Sequence, residues 1–246
     1  MNSKALRIIF LTFETLLTLI FIATLILALD QGAEPIAAAT LFAPLVLQAL
    51  FNLVLAFFMN IYFKTASTIE AQIMPTLLLV ITLENIEIFQ LFESAMFIHL
   101  VNSQLIAMIF SFASIFGACL FIGLGMFQQN HSYTFAENFV LTTFVGSILL
   151  TAANSSNTSM TALKANSYFS YLLLILTILA FICFFISFVQ NHNRVNLRKQ
   201  VFLCMMALGN YLIKSEISII SILGVALYAL GALFFIGLVR NKNLWA

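Results

Sequence analysis

Apolar stretches of bilayer-crossing length recur from one end of this chain to the other, and no polar segment between them is long enough to fold alone. A hydrocarbon core about 30 Å thick takes roughly 20 helical residues to cross. That property removes most folds from consideration. What remains is an all-α polytopic bundle of transmembrane helices, with residues 1–246 forming a single integral membrane domain and no soluble domain.

Composition points the same way. The chain is 63% hydrophobic and 8% charged, with a mean hydropathy of +1.09, whereas soluble domains are roughly half apolar and about a quarter charged. A net charge of +1 leaves no concentrated basic face of the kind that nucleic acid requires. Lys4 and Arg7 precede the first apolar run, as they would in a signal peptide. The run from Ile8 to Ala28 is too long for a signal core, and no convincing small-residue cleavage site follows it. It is read as a retained first span. Cys119, Cys183 and Cys204 each stand alone in apolar runs, where cysteine behaves as a small apolar residue rather than as a metal or redox ligand.

Eight spans are expected: Ala5–Leu29, Ala37–Phe63, Thr68–His99, Ser103–Phe127, Thr134–Ala153, Ser167–Val189, Arg198–Ile213 and Ser215–Val239. Ser67-x-x-Glu70 and Thr134-x-x-Glu137 have the pattern of capping boxes, in which hydroxyl and carboxylate satisfy first-turn N–H groups. Pro75 falls near the start of the third span, where it costs little or bends the helix locally. The seventh segment is the ambiguous one. Its apolar part, Val201 to Ile213, is short and contains Gly209 and Asn210, so seven spans plus a re-entrant segment is the alternative. Charge placement favours eight. Lys4, Arg7, Lys64, Arg194, Arg198, Lys199, Arg240 and Lys242 then share one side, against Lys164 and Lys214 with Asp30 and Glu34 on the other. This is the positive-inside pattern, and it predicts a plasma (inner) membrane protein with both termini cytoplasmic. Asn154 and Asn157 head N-x-S/T triplets in an outer loop, which matter only in a eukaryotic secretory pathway.

The residues most costly to place in such a chain are Glu84 and Glu87, midway along the third span. A charge near the bilayer centre costs about 2.5–3.5 kcal/mol on insertion scales. Spaced three apart, the two lie on neighbouring ridges of one helix face, and no Arg or Lys of the spans is expected near their depth. Burial and mutual repulsion then leave at least one carboxyl protonated at neutral pH. Such a pair can take up and release H⁺ or couple to a monovalent cation. Gln48 and Asn52 on the second span, and Glu14 and Thr18 on the first, are each spaced i, i+4 and offer polar partners. The same contacts would also serve as plain helix glue, at an average of about 0.6 kcal/mol each. The candidate ion or proton site is therefore Glu84, Glu87, Glu14, Asn52 and Gln48. Asn210 and Lys214, i, i+4 on the short seventh segment, are a weaker candidate. Their simpler reading is an interfacial helix with Lys214 snorkelling to the outer surface. Ser221, Gly224, Tyr228, Gly231 and Ala232 share one face of the last span, a packing surface that permits close helix approach.

Several chemistries are excluded by what the chain lacks. Asp30 is its one aspartate, so paired-aspartate proteolysis and Asp-rich diphosphate sites are unavailable to it. His99, His131 and His192 sit at span ends or in loops, which disfavours a bis-His haem. No H-E-x-x-H, G-x-S-x-G or Walker A pattern occurs. An enzyme is disfavoured and no cofactor is implied. The stretch from Lys64 to Glu70, with Glu84 downstream, and the closing Gly231 to Trp245 with its Asn-Leu-Trp end resemble uncharacterised multi-pass membrane proteins of spirochaetes. The resemblance implies a multi-pass fold and carries no activity. The functional expectation is a proton- or cation-coupled transporter or channel using the glutamate pair. The alternative is a non-enzymatic membrane sensor, or a structural subunit of a larger membrane assembly. Expected partners are the lipid bilayer, H⁺ or a monovalent cation, and a membrane-protein partner or a second copy of the chain.

Overall fold

The computed structural model describes residues 3–30, 40, 42–62, 69–90, 93, 101–126, 133–153, 159–190, 194–215 and 217–240. Among them every regular element is helical. In chain order these are α1 Ser3–Asp30, α2 Ala43–Tyr62, α3 Ile69–Glu84 and α4 Ser103–Met126. They continue as α5 Tyr133–Ala153, the short α6 Met160–Ala165, α7 Ser167–Gln190, α8 Arg194–Ile213 and α9 Ser218–Arg240. Seven of them (α1, α2, α3 with its continuation to Gln90, α4, α5, α7 and α9) are long and apolar enough to cross a bilayer, the mark of a multi-pass membrane protein.

Helix starts follow local polar chemistry. The Asn102 and Asn166 side chains accept the N–H groups of Gln104 and Tyr168 at 2.9 and 3.0 Å, capping α4 and α7. Ser159 caps α6 by accepting from Ala162 N–H at 3.2 Å. The capping boxes expected at Ser67 and Thr134 involve side chains outside the described residues. Also outside them are the loop triplets at Asn154 and Asn157.

Two departures from the expected spans bear on the site. The third span is not one continuous α-helix, because α3 ends at Glu84 and a 3₁₀ turn occupies Asn85–Glu87 before helix resumes over residues 88–90. The tighter winding falls on the glutamate pair itself, a placement typical of functional hinges. Pro75 lies inside α3, so the carbonyl of Ala71 has no N–H four residues on to bond it.

The second departure is α8. Polar first turns holding Arg198, Lys199 and Gln200 keep it below the apolarity of the other seven helices, yet it is a 20-residue helix packed along the bundle. It pairs antiparallel with α9. An added Cβ on Gly209 would meet Tyr228 N at 2.6 Å, one on Gly224 would meet Ile213 N at 2.7 Å, and one on Gly231 would meet the Phe202 carbonyl at 2.8 Å. Phe202 also stacks on Phe234, centroids 5.2 Å apart. From Phe202 to Ile213 this seam runs about 16 Å at 1.5 Å per residue. At its other end, Gln200 Nε2 donates to Ser187 Oγ at 3.0 Å, tying the start of α8 to the end of α7. So α8 begins at one end of the bundle and returns to the other, where Lys214 and Lys164 both lie.

The most enclosed helices are α3 and α4. Around them α1 and α2 pack on α3, α9 closes against α2, and α7 and α8 close against α4. On the outside, α5 sits against α4 through Phe144 set edge-on to Phe112 and Phe116, with centroids 5.5 and 5.7 Å apart. Small residues permit the close approaches. Gly125 of α4 lies against Cys183 of α7, where a Cβ would come within 2.8 Å of the cysteine Cβ.

Candidate functional site

The i, i+4 pairs of the sequence become the inward faces of the central helices. Glu14, Gln48, Asn52, Thr82, Glu84, Asn210 and Tyr228 are all buried, none more than 5% exposed. They come from α1, α2, α3, α8 and α9 and form two hydrogen-bonded groups, each around one carboxyl.

The first group centres on Glu14. Its Oε1 accepts from the Thr82 hydroxyl at 3.3 Å. Thr82 Oγ1 also lies 3.0 Å from the Leu78 carbonyl and accepts from Asn52 Nδ2 at 3.0 Å. The Tyr228 hydroxyl donates to Asn52 Oδ1. Glu14 Oε2 is buried with no hydrogen-bond partner. Thr18 turns back to its own helix, donating to the Glu14 carbonyl at 2.8 Å. A small cleft with room for about 10 Å³ reaches Glu14, walled by Arg7, Ala56, Met59, Asn60 and Pro75.

The second group centres on Glu84. Its Oε2 receives the Lys214 ammonium at 3.0 Å and Asn210 Nδ2 at 3.0 Å. Gln48 Nε2 in turn donates to Asn210 Oδ1 at 2.6 Å. Glu84 Oε1 lies over Gly117, 2.9 Å from where a Cβ would stand, and has no hydrogen-bond partner. Any side chain larger than glycine at position 117 would occupy the carboxylate's space. A second cleft of about 10 Å³, lined by Ala118, Thr177, Asn210, Tyr211 and Lys214, adjoins the groups that hold Glu84. Each cleft is the size of a single water molecule.

Glu87 stands apart from both. It forms an ion pair with Lys164 of α6, both side chains partly exposed, and the ammonium lies 6.0 Å from the Phe110 ring centroid. The expectation that no Lys or Arg reaches the glutamate pair is therefore corrected. Each glutamate takes its own lysine, and the carboxyl–carboxyl pair becomes two carboxylate–ammonium pairs. Hydropathy places Lys214 at a span end. The close α8–α9 seam positions that turn, and the lysine stem spans the distance inward to Glu84. The snorkelling reading of Lys214 fails for the same reason, since its side chain is 15% exposed and directed at a buried acid.

Of the expected residues, the structure joins Gln48, Asn210, Lys214 and Glu84 in one group, and Glu14 with Asn52 in the other. Three participants escaped the sequence reading. Tyr228 was visible only as a large residue on a face of small ones. Thr82 sits four residues after Leu78 on the face opposite Asn52, with nothing to distinguish it from other span threonines. Lys164 reads as an ordinary loop charge. Among the described residues no three His, Cys, Asp or Glu side chains converge as a metal site would require. The chain matches no protein-family model, no curated protein and no solved structure.

Proposed function

We propose that this protein moves protons or a monovalent cation across the plasma membrane, with its buried carboxyls as the coupling groups. One observation carries the reading. Two acids, Glu14 and Glu84, are enclosed among the central helices, and a water-sized cleft lies beside each group, one at the Arg7 end of the bundle and one at the Lys214 end. Acids within membrane spans are expensive to insert and are functional by default. The accompanying topology has eight crossings, with α8 as the seventh and both termini cytoplasmic. It is supported by the basic residues gathered at one end and by the course of α8 along α9. A C-terminal tag should report the cytoplasm, and a tag on the outer face refutes the count.

The transport reading is tested by flux into proteoliposomes loaded with a pH-sensitive dye, under steps of Na⁺, K⁺ and membrane potential. Wild-type signal should be lost in folded Glu84→Gln and Glu14→Gln variants. Silence of the wild type under every gradient overturns it. A second reading is favoured by the hydrogen bonds themselves. They link five helices, as glue in a sensor or assembly subunit would, and under that reading the same variants lower thermal stability while no flux exists to lose.

A further inference from the structure

We infer that Glu14, rather than Glu84, is the carboxyl that exchanges a proton, and that water in the Arg7–Asn60–Pro75 cleft delivers it. This assignment rests on the transport reading above and narrows it to one site and one ion.

The surroundings of the two acids differ in kind. Glu84 Oε2 faces two groups that donate and cannot accept in that contact, an ammonium and an amide NH₂. Those donors favour the ionised form of the carboxylate, whose charge Lys214 balances within the protein. Protonating it would strand the Lys214 charge beside a neutral acid. Glu14 meets one hydroxyl, and a hydroxyl adapts. The single Thr82 proton has two acceptors within reach, Glu14 Oε1 at 3.3 Å and the Leu78 carbonyl at 3.0 Å. Directed at Glu14 it serves the ionised acid; turned to Leu78 it leaves an oxygen lone pair free for the protonated one. The same neighbour therefore accommodates both states without moving a helix.

The remaining oxygen, Oε2, is buried and unpartnered, and Glu14 is itself part of the cleft wall. One further group equips that cleft for water, the Asn60 amide. The transfer balances simply. A hydronium in the cleft gives one proton to the Glu14 carboxylate, an O–H bond forms, and a neutral water remains. Among the described residues, the titratable groups facing Glu14 are Arg7 across the cleft and Tyr228 of α9, reached through Asn52. From α2 and α3 the facing polar groups, Asn52, Asn60 and Thr82, do not titrate. Room for one water, with few oxygens around it, suits a proton better than a metal cation that must keep several ligands.

The test is covalent labelling of the full-length protein in liposomes with dicyclohexylcarbodiimide, which modifies protonated carboxyls in apolar surroundings, followed by peptide mass spectrometry. Glu14 should label, the label should be lost as pH rises, and Na⁺ exchanged for choline at constant ionic strength should leave it unchanged. Glu84 should remain unlabelled in the wild type and gain label in Lys214→Met. Absence of label on Glu14, equal label on Glu84 in the wild type, or protection of Glu14 by Na⁺ each overturns the assignment. The wild-type measurements decide the matter even if Lys214→Met fails to fold. Labelling needs no flux, so the two readings fail separately. Silent proteoliposomes with a labelled Glu14 sink transport and leave the proton site standing. Flux that survives Glu14→Gln, with Glu14 unlabelled, does the reverse.

Discussion

Alanine at Gly209 should loosen the C-terminal helix pair and, through it, both polar groups. The Cβ would meet Tyr228 N at 2.6 Å, the Gly224 carbonyl at 2.7 Å and Tyr228 Cα at 2.8 Å. All three are backbone atoms of α9, so no side chain can swing away. Restoring the ordinary 3.4 Å limit from 2.6 Å opens the seam by about 0.8 Å. A gap of that size forfeits roughly a quarter to a half of the attraction at each affected contact, and overpacking of this kind costs about 1–3 kcal/mol. Asn210 and Tyr228 adjoin the seam and reach α2 through Gln48 and Asn52. If both bonds lengthen, each adds about 0.6 kcal/mol. The expected loss is therefore about 2–4 kcal/mol, measured by reversible unfolding in mixed micelles. Gly146→Ala and Gly237→Ala are the controls, because a Cβ at either position meets nothing within 4 Å. Those two should be neutral within about 0.5 kcal/mol. Equal stability of Gly209→Ala and the controls would refute the antiparallel α8–α9 seam, and with it the course of α8 across the bundle.

Three other perturbations address the ion pairs and the tyrosine. Lys214→Met leaves Glu84 buried beside one amide donor and should cost up to about 3–5 kcal/mol; Glu84→Gln in the same chain should recover most of this, whereas simple addition of the two single losses in a thermal-unfolding cycle would contradict the pairing. Lys164→Ala breaks a partly exposed pair and should cost under about 1 kcal/mol, an effect that shrinks as salt is raised; a salt-independent loss would place that pair deeper than the structure has it. Tyr228→Phe removes the donor to Asn52 Oδ1 and should cost about 0.6 kcal/mol, with helix content by circular dichroism unchanged; a neutral result would mean that water replaces the hydroxyl.

What could be read from the sequence was whatever one helix states about itself. Span positions follow from local hydropathy, and the pairs Gln48/Asn52 and Asn210/Lys214 from a period of 3.6, since residues four apart share a face in any helix. Which face meets which is a property of two helices, and there the reading ran short. Glu84 and Glu87 read as a unit on one strip of sequence, but the 3₁₀ turn at Asn85–Glu87 separates their directions, and partners come to them from α8 and α6, 130 and 77 residues away. Lys214 illustrates the cause. Its depth is set by how closely α8 can approach α9, which depends on Gly209 and Gly224 lying opposite one another, a register that no single-helix pattern contains. Gly117 is a related case, for its lack of a side chain is explained by an acid on another helix. Charge arithmetic along the chain counts Lys164 and Lys214 as outer-face residues. Only packing reveals that one of them pairs with a buried carboxylate, whereas Glu14 meets a hydroxyl at Oε1 and no partner at Oε2, the contrast on which its proposed proton exchange rests.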